Sequence, residues 1–383
     1  MKPFYNGSLI STDQIRKTII FTLSALGLGY SIISCSSKGQ GLNTTANNQL
    51  PTSELKAAVT SQNRIAEDLA VPQYKHIFVI IEENKAFDQI RGNPDAPIIN
   101  QLAQTYGMAS NFFGEVHPSE ANYIAMLGGS TFGIHDDAPY YAKASTPESH
   151  GVDHTIKGRS LLDQLEEKGL TWKGYFEDIP YPGYKGTAYP NSINTLYASK
   201  HNGFMNFLKV QNDPKELAKL VGINQLTLDL QSGNVPNYNH IVLNQCHEMH
   251  GLPQCSDTSQ LIKTGDRWVG KIVNQITHSS LWSSPDNSAI VITWDEDNGS
   301  TTGAQGCCGY DPKSVANFGG GHILTIVMTN HGSHGVVDNT PYNHYSLLRT
   351  TEDAFGIHEY LNEAGNTKDG VQPMIRLFST AAK

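Results

Sequence analysis

The chain has 383 residues, with 36 acidic against 27 basic side chains and a formal net charge of -9 at pH 7. That length suits one large α/β domain or two ordinary ones with a substantial core. The acidic balance and the lack of any dense Lys/Arg run exclude a general nucleic-acid binder, so attraction to an anionic substrate has to be local.

At the N-terminus Arg16 and Lys17 precede a mostly apolar run from Thr18 to Ile33, followed by Ser34 and Cys35. A basic start and a short apolar segment make a secretory leader, and the run is too short for a comfortable membrane span. "IISC" resembles a lipobox, which implies an exported lipoprotein: residues 1–35 as leader, Cys35 as the lipidated residue, and a membrane surface as partner through that anchor. Ser36 is not the Asp associated with inner-membrane retention, so by the same resemblance the outer membrane or cell surface is the expected location. Residues 36–71 are rich in Ser, Thr, Asn, Gln and Ala and read as a tether, which makes 72–383 the folded domain.

The first element of that domain is a strand at 76–81, "HIFVII", which runs straight into Glu82, Glu83 and Asn84. A helix is expected at 97–106, with Gly107 as its stop. Ser119 in "HPSEANYIAMLGG" stands at the head of another apolar-periodic run as an N-cap candidate. "SLLDQLEEKG" is a further helix, capped by Ser160 with Asp163 three residues on, and "LTWKGYF" is a strand. The stretch 179–238, rich in Pro, Gly, Asn and Tyr, reads as an irregular cap or insertion. "GDRWVGKIVNQI" has helical spacing, "SAIVITW" and "HILTIVMT" are strands, and "HYSLLRTTEDAFGI" is a terminal helix. Strands separated by helices predict an α/β fold with a mostly parallel central sheet covered on both faces.

In such a sheet, ligand sites lie beyond the carboxyl ends of the strands. "SAIVITW" ends in Asp295, Glu296 and Asp297, as the first strand ends in Glu82, Glu83 and Asn84, and two carboxylate clusters at one edge call for a cation between them. A hydroxyl at a helix N-terminus, such as that of Ser119, is well placed for phosphoryl chemistry, because free N–H groups there favour an anion. Histidines 117, 250, 322 and 344 sit beside turns. His322 follows three glycines that would permit close approach to a ligand, and such a group could bind phosphate oxygens or protonate a leaving alkoxide. His135, His154, His201 and His278 read as ordinary satisfied polar residues. Removal of Cys35 leaves four cysteines. Cys246 and Cys255 are the favoured disulfide, and the state of the adjacent Cys307 and Cys308 stays open.

Six segments in order, "HIFVIIEENKAFDQI", "HPSEANYIAMLGGSTFGI", "VPNYNHIVLNQCHEMHG", "GDRW", "VITWDEDNG" and "VDNTPYNHYSLLRTTEDAFG", together resemble the bacterial phosphoesterase family of secreted acid phosphatases and phospholipases C, itself related to alkaline phosphatase. The resemblance runs from about residue 75 to about 357 and is strongest to the small secreted acid phosphatases. It implies an alkaline-phosphatase-like fold and a small phosphorylated substrate. It also implies a covalent phospho-enzyme on a metal-activated Ser. By matching motif, Glu83, Asn84, Ser119, Asp295 and Glu296 would hold one divalent ion, Mg²⁺, Ca²⁺, Mn²⁺ or Zn²⁺, with Ser119 also the nucleophile. His117, Asn122, His250 and His322 become phosphate-binding or acid/base candidates. Two departures stand out: Ala86 replaces the usual residue before "FD", and His247-Glu248 occupy a loop where relatives often carry Asn or Asp then Asp. The rival readings are a phospholipase C acting on a diester and a surface lipoprotein that binds without catalysis.

Overall fold

Every residue of β1 (His76–Glu82) is buried, as a β-branched, aromatic run should be when both sheet faces are covered. The computed structural model describes residues 70–142, 152–299, 305–314, 317–332 and 334–379. The expected leader and nearly all of the tether fall outside these residues. The other strands are β2 (Gly107–Phe113), β3 (Trp172–Phe176), β4 (Ala188–Pro190), β5 (Thr195–Ala198), β6 (Leu220–Gly222), β7 (Tyr238–Val242), β8 (Ser288–Trp294), β9 (His322–Thr329), β10 (Val336–Asp338) and β11 (Tyr342–Asn343). Nine of these form one sheet in the order β10-β2-β9-β8-β1-β7-β3-β6, with β11 alongside β2, while β4 and β5 make a separate hairpin.

The sheet is α/β and mostly parallel: β1 pairs in parallel with β7 and β8, and β3 pairs in parallel with β6 and β7. β9 departs from the expectation by running antiparallel to both β8 and β2. The connection from β8 to β9 has no helix among its described residues, and a parallel return needs a crossover that such a connection does not supply. As a result the start of β9 lies at the edge where the parallel strands end.

Five helices matter for the site: α1 (Pro97–Thr105), α2 (Glu120–Gly128), α3 (Leu161–Glu167), α4 (Thr258–Thr277) and α5 (His344–Ala354). α1 packs against α4, and α2 packs against α5 and α3. α4 begins before the segment expected from its apolar spacing, because Asp257 caps it by accepting from Gln260 N. α3 has the expected capping box between Ser160 and Asp163. The region 179–238 is more ordered than its composition suggests. It carries the β4–β5 hairpin, and its later part supplies β6, the edge strand of the main sheet. Leu220 and Val221 of β6 are buried, but three residues are too few to show a period in sequence. Cys246 is bonded to Cys255, and Cys307 to Cys308.

Candidate active site

β1 and β8 are direct neighbours with Glu82 level with Trp294, so Glu83-Asn84 and Asp295-Glu296-Asp297 leave the sheet side by side. β2 ends at the same edge, with Phe113 opposite His322, and its continuation carries Glu115 to Ser119. Ser119 has helical backbone angles (φ -50°, ψ -48°), and its side chain makes no cap hydrogen bond. The expected N-cap role is therefore corrected. Its Oγ instead lies 3.2 Å from Glu83 Oε2 and 3.2 Å from Glu296 Oε1.

Around this hydroxyl the acceptors outnumber the donors. Ser119 has one proton for two carboxylates. The other oxygen of Glu83, Oε1, accepts from Tyr123 Oη at 2.9 Å and lies 3.0 Å from His201 Nε2. His201 Nδ1 is 2.7 Å from Glu248 Oε1. Burial, followed by the charge of Lys200, holds His201 well below its ordinary pKa, so a neutral ring with one N–H faces two carboxylates. Asp295 Oδ1 accepts from Asn84 N at 3.1 Å, while Asp295 Oδ2 and both oxygens of Glu82 are buried without a hydrogen-bond partner among the described residues. Burial first, then mutual repulsion, pushes these acids up: Glu83 to about 7, Glu296 to about 8, and Asp295 and Glu248 well above the carboxylate range. A dry cluster of this kind is stabilised by a divalent cation, and its oxygen-rich donors fit a hard ion, with His201 adding one nitrogen.

The candidates from sequence divide into two groups. Glu83, Asn84, Ser119, Asp295 and Glu296 come together. Of the three consecutive acids at the end of β8, Asp297 turns away from Ser119: its Oδ1 lies 3.3 Å from His117 Nε2 and accepts from Gly299 N at 2.7 Å. His117 bridges Asp297 and Glu296, with Nδ1 2.8 Å from Glu296 Oε2. Burial works against its charge, but bonds to Asp297 and Glu296 outweigh that and hold its pKa up at about 10. His250 joins the site as an acceptor. Its Nδ1 donates to Gly251 O at 2.9 Å, which leaves Nε2 to receive Lys200 Nζ at 3.3 Å. Burial and the Lys200 charge lower its pKa to about 4.

Asn122 and His322 are placed differently from expectation. Asn122 Oδ1 accepts from Glu115 N (2.9 Å) and Val116 N (3.3 Å), while Nδ2 donates to Val116 O (2.9 Å) and Glu296 Oε2 (3.4 Å). It clamps the loop before Ser119 and has no free polar atom for phosphate. His322 Nε2 donates to Ser110 O at 3.0 Å, and the ring stacks on Phe87 at 4.4 Å. The three glycines before it make room for protein. A Cβ on Gly320 would lie 2.7 Å from Val116 O, and one on Gly321 would lie 2.1 Å from the Asp297 carboxylate.

From sequence, Lys200 has no role, His201 reads as an ordinary polar residue and Glu248 is marked only as a departure in its loop. His201 belongs to the site rather than to the ordinary polar residues, because the chain after β5 folds under α2, where Gly203 lies against the Tyr123 backbone. Lys200 Nζ pairs with Asp137 Oδ2 at 2.9 Å. Burial opposes its charge, but Asp137 and Glu83 raise its pKa. The adjacent Lys-His of "SKHNG" was the one available signal.

A family model described as the Phosphoesterase family matches residues 91–358. A phosphatidylinositol-3-phosphatase of Mycobacterium tuberculosis is 29% identical over 75% of this chain and 79% of its own. A probable acid phosphatase of Kluyveromyces lactis is 25% identical over 87% of this chain and 71% of its own. Among solved structures, a Bacteroides thetaiotaomicron protein of glycosaminoglycan metabolism superposes with a TM-score of 0.51 at 12% identity, covering 80% of this chain and 82% of that one. That likeness concerns the fold alone.

Proposed function

Because the chain belongs to the Phosphoesterase family, and is thereby a phosphoric ester hydrolase, we propose that it is a metal-dependent phosphomonoesterase in which Ser119 carries the phosphoryl group from substrate to water. The observation that carries this reading is the uncapped Ser119 Oγ held 3.2 Å from both Glu83 and Glu296 at the carboxyl edge of the sheet. A divalent ion among Glu83, Asn84, Ser119, Asp295 and Glu296 would lower the pKa of the hydroxyl and offset phosphate charge.

The rest of the chemistry is assigned to the chain's own groups. Ser119 Oγ attacks phosphorus, and the bond from phosphorus to the ester oxygen breaks. The Oγ proton passes to a neighbouring carboxylate, Glu296 or Glu83, and the leaving alkoxide takes a proton from His117, which its two carboxylates keep protonated. In the second half the neutral His117 takes a proton from water as that water attacks the phosphoserine. The protonated carboxylate returns its proton to Ser119 Oγ, and phosphate leaves. Lys200, oriented by Asp137 and His250, supplies positive charge beside the phosphoryl oxygens. We further propose, from the leader and Cys35 anchor expected over residues 1–35, that the enzyme works at a membrane surface, which fatty-acid labelling of the expressed protein tests.

The experiment is hydrolysis of p-nitrophenyl phosphate and of p-nitrophenylphosphorylcholine by wild type and Ser119→Ala, each with chelator and with added divalent ions, together with acid quenching to trap the phospho-enzyme. The reading expects monoester turnover that chelator abolishes, a loss of about a thousandfold or more in Ser119→Ala, and phosphate recovered on the peptide containing Ser119. Full activity in Ser119→Ala would sink it. Preference for the diester would move the assignment to a phospholipase C, and no turnover of either substrate to a binding lipoprotein.

A further inference from the structure

The residue after the nucleophile, Glu120, belongs to a second group of ligand-type side chains that the proposed chemistry does not use. Glu120, Asp136 and His154 each offer a donor atom, and these atoms all lie within 4.8 Å of one another. His154 lies between the two acids, with Nδ1 3.0 Å from Glu120 Oε2 and Nε2 3.0 Å from Asp136 Oδ1. Glu120 and His154 are fully buried, and Asp136 is 6% exposed.

Among the described residues, the hydrogen bonding of this pocket does not close. Asp136 Oδ1 is already used by Ala138 N at 2.8 Å. Asp136 Oδ2 is buried without a partner among the described residues, and His154 Nε2 makes no hydrogen bond there despite its short contact with Asp136. Asn206 is also fully buried. Its Nδ2 donates to Glu120 Oε1 at 2.6 Å and to His154 O at 3.1 Å, while its Oδ1 has no partner among the described residues. The pocket therefore holds two carboxylates, an imidazole nitrogen off any hydrogen-bond line and a spare amide oxygen, with too few protons to join them. An uncompensated polar group at such depth costs about 1–3 kcal/mol, and more when charged.

We propose that Glu120, Asp136 and His154, with Asn206 beside them, form a second, structural metal site for a borderline divalent ion of the Zn²⁺ type. One imidazole nitrogen with carboxylate and amide oxygens is the donor set such an ion takes, and two carboxylates match its charge. A closed, buried site takes up its ion as the chain folds and releases it slowly. Its role follows from its position. Glu120 N donates to Asp137 Oδ1 at 3.2 Å, and Asp137 Oδ2 holds Lys200. An ion here would fasten the start of α2, and Ser119 with it, to the loop that orients Lys200. These are positioning residues, since none touches the Ser119 hydroxyl.

The test is metal content together with location. Wild-type protein refolded with Zn²⁺ and then dialysed against chelator is expected to keep one equivalent by mass spectrometry, once the Ser119 cluster has given up its ion. Asp295→Asn is expected to keep that same equivalent, and His154→Gln or Asp136→Asn to lose it. A crystal of the Zn²⁺-loaded wild type, with data at the zinc absorption edge, is expected to give an anomalous peak between Glu120, Asp136 and His154, a result that does not depend on any variant folding. No zinc in Asp295→Asn, or no peak at this position, would overturn the proposal and leave His154 as an imidazolium between two carboxylates. A peak here with none beside Ser119 would leave this site standing while removing the metal from the proposed chemistry.

Discussion

Replacing Asn122 separates a phosphate ligand from a structural clamp. Asn122→Ala removes the acceptor of Glu115 N and Val116 N and the donor to Val116 O, all buried contacts. Leaving three buried backbone groups unpaired, at about 1–3 kcal/mol each with partial relaxation, gives an expected loss of about 3–5 kcal/mol. For a domain of this size that is a fall in Tm of roughly 5–8 °C. Asn122→Asp retains the acceptor but loses the donor and sets a carboxylate beside Glu296 Oε2, so it is expected to lose about half as much. Thermal and urea unfolding supply the stabilities. Steady-state kinetics on p-nitrophenyl phosphate, well below the lowered Tm, supply the second readout: KM within about twofold of wild type and a reduced kcat, because the loop carrying His117 and Ser119 loosens. A variant with unchanged Tm and a KM raised tenfold or more would refute the clamp and return Asn122 to the substrate.

Two further outcomes follow from groups away from the reacting atoms. Glu352 is buried, with Oε1 accepting from Leu361 N at 2.9 Å and Oε2 unpartnered among the described residues, and burial raises its pKa from 4.5 to about 8. The fold therefore binds a proton that the unfolded chain has released. Its contribution is fully present below pH 4.5 and is lost as pH rises towards 8, at up to about 1.4 kcal/mol per pH unit. Urea melts at pH 5, 6.5 and 8 should show wild type losing stability relative to Glu352→Gln, and parallel profiles would contradict the assignment. The Cys246–Cys255 bond closes a loop with a sequence separation of 9. Its removal by double Ser substitution is expected to cost about 2–3 kcal/mol, and reductant should lower the wild-type Tm by more than it lowers that of the double variant, which keeps only the Cys307–Cys308 bond.

Where sequence reading worked, it worked through continuous runs. β1, β8 and β9 are long, apolar and bounded by polar residues, and both acidic clusters follow directly from strands that the structure sets side by side. It failed where the needed fact was a pairing. β2, "GMASNFF", is a strand because β9 on one side and β10 and β11 on the other supply its hydrogen bonds, and its Gly, Ser and Asn give no β period. β6 is hidden for the same reason, since three residues show no period and only pairing with β3 makes them a strand. His201 and Lys200 follow an irregular segment, and only the packing of that segment beneath α2 brings them to Glu83. The glycines before His322 were visible, but their occupant was not, because a close approach can serve a ligand or, as here, the protein's own backbone and the carboxylate of Asp297.

That last distinction bears on why the edge of this sheet is built from so many acids. Among the described residues three cations stand near them and each is already engaged: Lys200 with Asp137, His117 with Glu296 and Asp297, and the buried Lys85 with the backbone carbonyls of Asn84 and Met249. Glu83, Asp295 and Glu248 are left to share one tyrosine hydroxyl, one serine hydroxyl, one neutral imidazole and a backbone N–H. A fold selected for stability alone would replace such a cluster with apolar residues at little cost. Its retention beside an uncapped serine is the physical ground for treating the acids as a cation site, and it explains why the first strand of the domain ends as it does. Glu83 and Asn84 stand where β1 stops because that is the point at which a parallel neighbour, β8, can set Asp295 and Glu296 opposite them.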